Sequence, residues 1–236
     1  MRPLKETTVL KHVLVPINKA GWPFIVGALA LSVFAALLWK PLVIPGLLVA
    51  AFCTYFFRDP VRQTPVRKGL VVSPADGVVS AIETAVPPAE LEMGSEPRTR
   101  ISIFLSVFDV HVNRVPTDGR ITETVYHHGK FLNAALDKAS EENERMSVKM
   151  ETEDGKEVAF VQIAGLIARR ILNWLHIGQN VRAGERFGLI RFGSRTDVYL
   201  PKGTEPFVAV GQRMIGGETV IADLNSDEDQ RNAEAR

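Results

Sequence analysis

A chain of 236 residues, 46% apolar and 23% charged, is long and apolar enough to bury a large core, which excludes disorder as its default state. Its formal charge of +1 gives no electrostatic case for nucleic acid, and no recognition motif for nucleic acid occurs, so none is expected as a partner. The single cysteine, Cys53, cannot close an intramolecular disulfide. With His12, His111, His127, His128 and His176 it makes no Cys-x-x-Cys or His-Glu-x-x-His spacing, so no metal site is predicted.

The first nineteen residues are polar and carry Arg2, Lys5, Lys11 and Lys19. From Ala20 to Trp39 no residue is charged, and as a helix that run reaches roughly 30 Å, the thickness of a bilayer's hydrocarbon core. Lys40-Pro41 interrupts it, and the next uncharged run ends at Phe57 and holds Pro45 and Gly46. Arg58, Arg62, Arg67 and Lys68 follow. With both flanks basic, the positive-inside rule puts both on the cytoplasmic face of the cell membrane, as a hairpin would. A cleaved signal peptide or a buried hairpin of a soluble protein are the competing readings, and the length of the run and its doubled basic flanks favour the membrane.

The composition changes after Asp59-Pro60 to short apolar runs separated by Pro, Gly and Asp, which marks a domain boundary. Three parts result: a basic segment and membrane-associated hairpin over 1–57, a β-rich domain over 58–224, and a charged tail over 225–236 that is predicted to be disordered. Strands are predicted at 70–73, 78–82, 101–107, 158–164, 187–192, 198–200, 207–210 and 219–223, and helices at 131–143 and 166–175. The fold class is therefore mainly β with a few helices, α+β.

A weak repeat relates Ile177-Gly178-Gln179-Asn180-Val181-Arg182-Ala183-Gly184-Glu185 to Val210-Gly211-Gln212-Arg213-Met214-Ile215-Gly216-Gly217-Glu218. Such paired units occur in barrel-sandwich domains of the biotinyl and lipoyl carriers, which present a lysine at a hairpin tip. Here the tip is predicted to hold Gly193-Ser194, and that turn has no lysine.

A Gly-Ser pair alone reads as turn chemistry. Asp76, in Ser73-Pro74-Ala75-Asp76-Gly77, alone reads as a turn aspartate. His111, in Phe108-Asp109-Val110-His111-Val112-Asn113-Arg114-Val115-Pro116, alone reads as structural. Together they offer a hydroxyl, a group that accepts its proton near neutral pH, and a carboxylate to orient that group.

These pieces, with Phe56-Phe57-Arg58-Asp59-Pro60, Tyr126-His127-His128-Gly129-Lys130-Phe131, Asn143-Glu144-Arg145 and Phe192-Gly193-Ser194, resemble the phosphatidylserine decarboxylase proenzymes in their compact bacterial form. The resemblance runs from about Phe56 to Asp223. It implies a chain that breaks its own Gly193–Ser194 bond without hydrolysis. The products would be a β chain (1–193) and an α chain (194–236) that begins with a pyruvoyl group derived from Ser194.

The resemblance further implies decarboxylation of phosphatidylserine to phosphatidylethanolamine, with the substrate held as a Schiff base on the pyruvoyl group. Catalytic roles fall to Ser194, His111 and Asp76. Longer members of the family carry a second histidine where this chain has Arg114, and arginine cannot accept a proton at ordinary pH. Arg114 is instead a candidate to hold the lipid phosphate or carboxylate, and Asp109 a candidate orienter of the site. The partners expected are a phospholipid in the membrane and the two chains for each other, and a homo-oligomer is compatible with the sequence. The alternatives are a membrane-tethered binding module of biotinyl-like fold without catalysis, or the same chemistry on a different serine phospholipid.

Overall fold

The computed structural model describes residues 15–129, 142–165, 170–191, 193–231 and 233–234. The chain divides into two compact units, Met1–Val61 and Arg62–Arg236.

In the first unit, helix α1 (Trp22–Leu38) and helix α2 (Val43–Phe56) pack side by side. A Cβ on Gly46 would lie 2.4 Å from the Cβ of Ser32, so glycine is what lets the two helices approach. The buried Ser32 hydroxyl donates to the carbonyl of Val43 at 2.9 Å, which satisfies it without water. At the open end Phe24 stacks on Phe57 with ring centroids 5.3 Å apart, and the Asn18 amide donates to the Phe57 carbonyl. The outside is apolar all round: Leu31, Val33, Phe34, Leu37, Leu38, Ile44 and Leu48 are all exposed. A helix apolar on every face belongs in an apolar surround. The stretch Lys19–Leu38 is long and apolar enough to cross a membrane.

The second unit is built of short strands: β1 (Leu70–Val72), β2 (Gly77–Ala85), β3 (Arg98–Leu105), β4 (Val112–Arg114), β5 (Gly119–His127), β6 (Arg145–Glu151), β7 (Glu157–Ala164), β8 (Ile171–Asn173), β9 (Asn180–Val181), β10 (Arg186–Ile190), β11 (Ser194–Tyr199), β12 (Arg213–Met214) and β13 (Val220–Asp223). They form an eight-stranded sheet ordered β12-β2-β3-β11-β7-β6-β5-β9, a three-stranded sheet β4-β10-β8, and the pair β1-β13.

The main core gathers Ile101, Ile103, Phe160, Val198 and Ile221, among others, between these layers. The other face of β7 and β11 is covered as well, with Leu91 and Met93 lying over Ala159, Val161, Ile163 and Tyr199. A strand buried on both faces reads as a continuous apolar run rather than an alternating one, which is the pattern of β7.

The sheet order is a palindrome about β11 and β7, and the hydrogen bonds show why. Gly211 donates to Val79 and Val79 donates back to Gln212; Gly178 donates to Ile121 and Ile121 donates back to Gln179. Gly217 and Ser73 are joined as Gly184 and Val115 are. The internal repeat is thus a pseudo-twofold of the whole domain, in which β1, β2 and β3 answer to β4, β5 and β6. Gly178 (φ +86°) and Gly211 (φ +88°) take the same left-handed turn in each half, a backbone that glycine adopts without strain.

Two predicted elements differ, and a third falls largely outside the described residues. The helix expected over 166–175 contains strand β8 at Ile171–Asn173; a short aliphatic run does not distinguish a buried strand from a helix by periodicity. The strand expected at 207–210 is reduced to a single bridge, Pro206 with Ala222. The helix expected over 131–143 falls mainly on residues outside those described. In the tail, Arg231 sits with its guanidinium 4.2 Å from the ring centre of Phe207, and its amide donates to Pro206.

Candidate active site

Ser194 opens β11, and Gly193 before it has φ +66°. The pair was expected at a hairpin tip, but β10 and β11 do not pair with each other. β10 bonds to β4 and β8, and β11 to β3 and β7, so the Gly-Ser junction carries the chain from one sheet to another. A Cβ on Gly193 would meet nothing within 4 Å, so glycine is required here for its left-handed backbone rather than for room.

Ser194 is fully buried, and its Oγ has no hydrogen-bond partner among the described residues. Leaving a buried hydroxyl unsatisfied costs about 1–3 kcal/mol, and such groups mark strained or reactive positions. Its backbone is fixed between Leu105 and Ala164. Ala164 is held in turn: its amide donates to Glu144 at 2.9 Å, and its carbonyl accepts the Asn143 side chain at 2.7 Å.

β3 runs antiparallel to both β2 and β11, so its end at Leu105 lies beside the starts of both. Asp76, just before β2, is therefore two strand spacings from Ser194, about 10 Å between backbones. The loop that leaves β3 covers this edge. In it the buried Asp109 carboxylate accepts from the Ser106 amide and hydroxyl, each at 2.8 Å, and from the guanidinium of Arg213 on β12.

The backbone carbonyl of Asp109 lies 3.0 Å from Nδ1 of His111. A carbonyl only accepts, so Nδ1 carries the proton of neutral His111 and Nε2 carries the lone pair. His111 is fully buried, and its own carbonyl accepts from Ile190, the last residue of β10. The structure thus brings Asp76, Asp109, His111 and Ser194 to one edge.

The Asp76 carboxylate bonds Arg62 at 2.6 Å and accepts the Gly216 amide at 2.8 Å. The His111 ring is held at Nδ1 by the backbone carbonyl of Asp109. Burial pushes the Asp76 carboxyl above the usual carboxylate range, and the charge of Asp109 adds to this, against the pull of Arg62 and the Gly216 amide.

Arg114 is buried; its guanidinium donates to the Gly184 carbonyl at 2.8 Å and its amide to Pro74 at 2.8 Å. It pairs across with Arg186, at the far end of β10 from Ser194. These contacts tie Arg114 to the Pro74–Gly77 turn and to the loop at Gly184.

Arg62 and Arg213, the partners of the two carboxylates, were not singled out from sequence. A signal was present for the second, because Arg213 lies inside the repeated segment. Nothing in the pattern around Arg62 marks it.

A family profile described as phosphatidylserine decarboxylase matches residues 49–222. The phosphatidylserine decarboxylase proenzyme of Paramagnetospirillum magneticum is 57% identical over 233 residues, covering 98% of this chain and 97% of the relative. The proenzyme of the same name from Cereibacter sphaeroides is 55% identical over 228 residues, covering 97% of this chain and 98% of the relative. With a buried serine at a left-handed glycine, a histidine poised by its neighbour's carbonyl and likeness along nearly the whole chain, this chain belongs to the phosphatidylserine decarboxylase family.

Proposed function

We propose that the chain is a self-processing decarboxylase that converts phosphatidylserine to phosphatidylethanolamine and carbon dioxide, using a pyruvoyl group made from its own Ser194. The observation that carries this reading is the buried Ser194 hydroxyl, without a hydrogen-bond partner among the described residues, next to a glycine held at φ +66°.

Self-cleavage begins when Ser194 Oγ attacks the Gly193 carbonyl carbon. A C–O bond forms, the C–N bond of the peptide breaks, and the proton of Oγ passes to the departing amide nitrogen. A base then takes the Cα proton of residue 194 and the Gly193 carboxylate leaves. Water adds to the resulting enamine after it tautomerises, ammonia departs, and a keto group caps the smaller chain. His111, through Nε2, and the carboxylate of Asp76 are the groups on this edge suited to moving these protons. Asp109 holds His111 in the required tautomer, and Arg213 holds Asp109.

The site fits the group it has to make. Cleavage leaves residue 194 at the head of a central strand, still pinned by β3 and β7, and the 194–236 chain stays attached through β11, β12 and β13. Once formed, the pyruvoyl carbonyl supplies an electron sink for the carbon that loses carbon dioxide. His111 then delivers the replacing proton. The apolar α1–α2 hairpin supports anchoring in the cell membrane with both flanks on the cytoplasmic side, where a lipid substrate reaches the enzyme by lateral diffusion.

Intact mass spectrometry of the purified protein tests the reading. Two chains meeting at 193/194 are expected, the smaller lighter than a serine-initiated chain by one ammonia. One uncut chain without carbon dioxide release from phosphatidylserine would overturn it.

A further inference from the structure

Gln162 of β7 reaches out of the eight-stranded sheet into the three-stranded one. Its Nε2 donates to Asn113 Oδ1 on β4 at 2.8 Å and to the Leu172 carbonyl on β8 at 3.4 Å. Both amide side chains are fully buried. Between β4 and β8 lies β10, whose Gly188 is opposite Asn113 on one side and Asn173 on the other. A Cβ on Gly188 would lie 2.7 Å from Gln162 Nε2, so glycine leaves the room that the amide occupies.

Folding stability does not account for polar groups at this place. Asn113 Nδ2, Gln162 Oε1 and the hydroxyl of Thr196, which stands directly opposite Gln162, are buried without a hydrogen-bond partner among the described residues. The next level of the sheet is apolar, with Val198 opposite Phe160 and the Phe160 ring 4.9 Å from that of Phe187. A half-satisfied buried network is worse for stability than an apolar core. Apolar side chains of similar shape can replace both partners of such a bond at little cost.

The position of the pair supplies the missing reason. Asn113 follows His111 by two residues. Gln162 precedes by two residues Ala164, which is directly opposite Ser194. The bond thus ties the two sheets together one side-chain step, about 7 Å of strand, from both reacting residues. The Gly193–Ser194 peptide is a covalent link between the same two sheets, because it joins β10 to β11. Self-cleavage would break that link, and the Gln162–Asn113 bond would remain.

We propose that Gln162 and Asn113 are positioning residues that fix the spacing between residue 194 and His111, and that they matter most once the chain is cut. This rests on the decarboxylase reading. In the uncut chain the peptide itself holds Ser194 to the sheet that pairs with the His111 segment. After cleavage that restraint is gone, and contacts between the layers carry it. Proton delivery by His111 needs hydrogen-bond reach, and a misplacement of about 1 Å caused by a change away from the chemistry can cost about a hundredfold in rate.

The test uses the full-length, detergent-solubilised protein, with decarboxylation rates divided by the amount of cut chain measured by mass. Gln162→Leu combined with Asn113→Leu should melt at the wild-type temperature or higher and cleave itself within about fivefold of the wild-type rate. On dioctanoyl-phosphatidylserine it should lose about tenfold or more in kcat, with KM within about twofold. The swapped pair, Gln162→Asn with Asn113→Gln, moves one methylene across the gap and keeps the bond. It should recover kcat to within about threefold of wild type, whereas Gln162→Asn alone should not. This second comparison decides the matter if the leucine variant does not fold.

Unchanged kcat in the leucine variant, or a loss of kcat no larger than the slowing of self-cleavage, would overturn the proposal. So would a leucine variant that melts well below the wild type, since the pair would then serve folding, or a swapped pair no better than Gln162→Asn alone. A wild-type protein that neither cleaves nor releases carbon dioxide would instead overturn the decarboxylase reading, whatever the melting temperatures of the variants.

Discussion

In the turn Pro74-Ala75-Asp76-Gly77, the Asp76 carboxylate accepts the amide of Gly216 at 2.8 Å; in Pro116-Thr117-Asp118-Gly119, the Asp118 carboxylate accepts the amide of Ala183 at 2.8 Å. The two turns are equivalent under the pseudo-twofold, and each precedes a long strand, β2 or β5, that pairs with one arm of the Gly-Gln repeat. Beyond that shared bond they diverge. Asp118 is exposed. Asp76 is half-buried, bonded to Arg62, and shares its sheet edge with Asp109, His111 and Ser194. The turn aspartate is a device of the fold, present in both halves. What sets the Asp76 copy apart is the desolvation and the neighbours added at one end only. The asymmetry begins at β11 and β7: both are central strands, yet β7 follows β6 through a short reversal around Gly155, whereas β11 follows a left-handed glycine that joins two sheets.

The largest break in this comparison is Ser194→Ala. It removes the hydroxyl proposed to attack Gly193 and should abolish cleavage entirely, giving a single full-length chain by mass and no carbon dioxide from phosphatidylserine. The fold should survive, because Ser194 contributes to β11 through its backbone pairing with Leu105 and Ala164.

The paired aspartates come next. Asp76→Asn should slow self-cleavage by about a hundredfold or more, the scale of losing a positioned proton-transfer group. Asp118→Asn should leave the cleavage rate within about twofold and lower stability by less than about 1 kcal/mol, since it weakens one hydrogen bond near solvent. Time courses of chain separation on denaturing gels, with thermal melts of both variants, decide the matter. Equal slowing by the two would mean that the aspartates act only through the turn.

This contrast also shows how far the sequence can be read. Asp76, Asp109, His111 and Ser194 stand out in it because each sits in a short segment of distinctive residues. Their contacts are not legible in the same way. The carbonyl that orients His111 belongs to the backbone, and a backbone contact leaves no trace in residue type. Arg62 and Arg213 meet their carboxylates from 14 and 104 residues away.

β11 was predicted to begin at Val198, but it already includes Arg195 and Asp197. They are buried in a central strand and neutralise each other, Nε to Oδ1 at 2.9 Å. β5 and β6 were missed for a related reason: polar residues such as Thr122 and Thr124 in β5, and Arg145, Ser147 and Lys149 in β6, interrupt the apolar ones and mask the strands. The N-terminal hairpin was legible because two long apolar runs need no tertiary context to be recognised.

The environment of Asp76 can be tested through pH. Burial raises its pKa and Arg62 lowers it. A base works when deprotonated, so cleavage should slow as pH falls through the raised Asp76 value. Arg62→Gln removes the lowering influence, so the acid limb of the cleavage profile should move to higher pH and the rate just above the wild-type limb should drop. A limb that stays in place, or moves to lower pH, would show that Asp76 does not control the step.

The smallest expected difference separates the two repeat arms. Arg213 on β12 lies opposite Val78, and its counterpart Asn180 on β9 lies opposite Arg120, so the charge that clamps Asp109 has no equivalent in the other half. The Arg213 side chain is 64% exposed while Asp109 is 2% exposed, and exposure on one side lets solvent and salt weaken the pair. Asp109 also keeps both bonds from Ser106. Arg213→Ala should therefore slow cleavage only a few-fold, on the order of a partly screened ion pair, and the slowing should shrink as ionic strength rises, because salt already weakens the wild-type pair. Asn180→Ala should change neither the rate nor its salt dependence. If Arg213→Ala slowed cleavage equally at low and high salt, the arginine would be acting through packing of β12 on β2 rather than through its charge on Asp109, and the electrostatic difference between the two arms would carry no part of the chemistry.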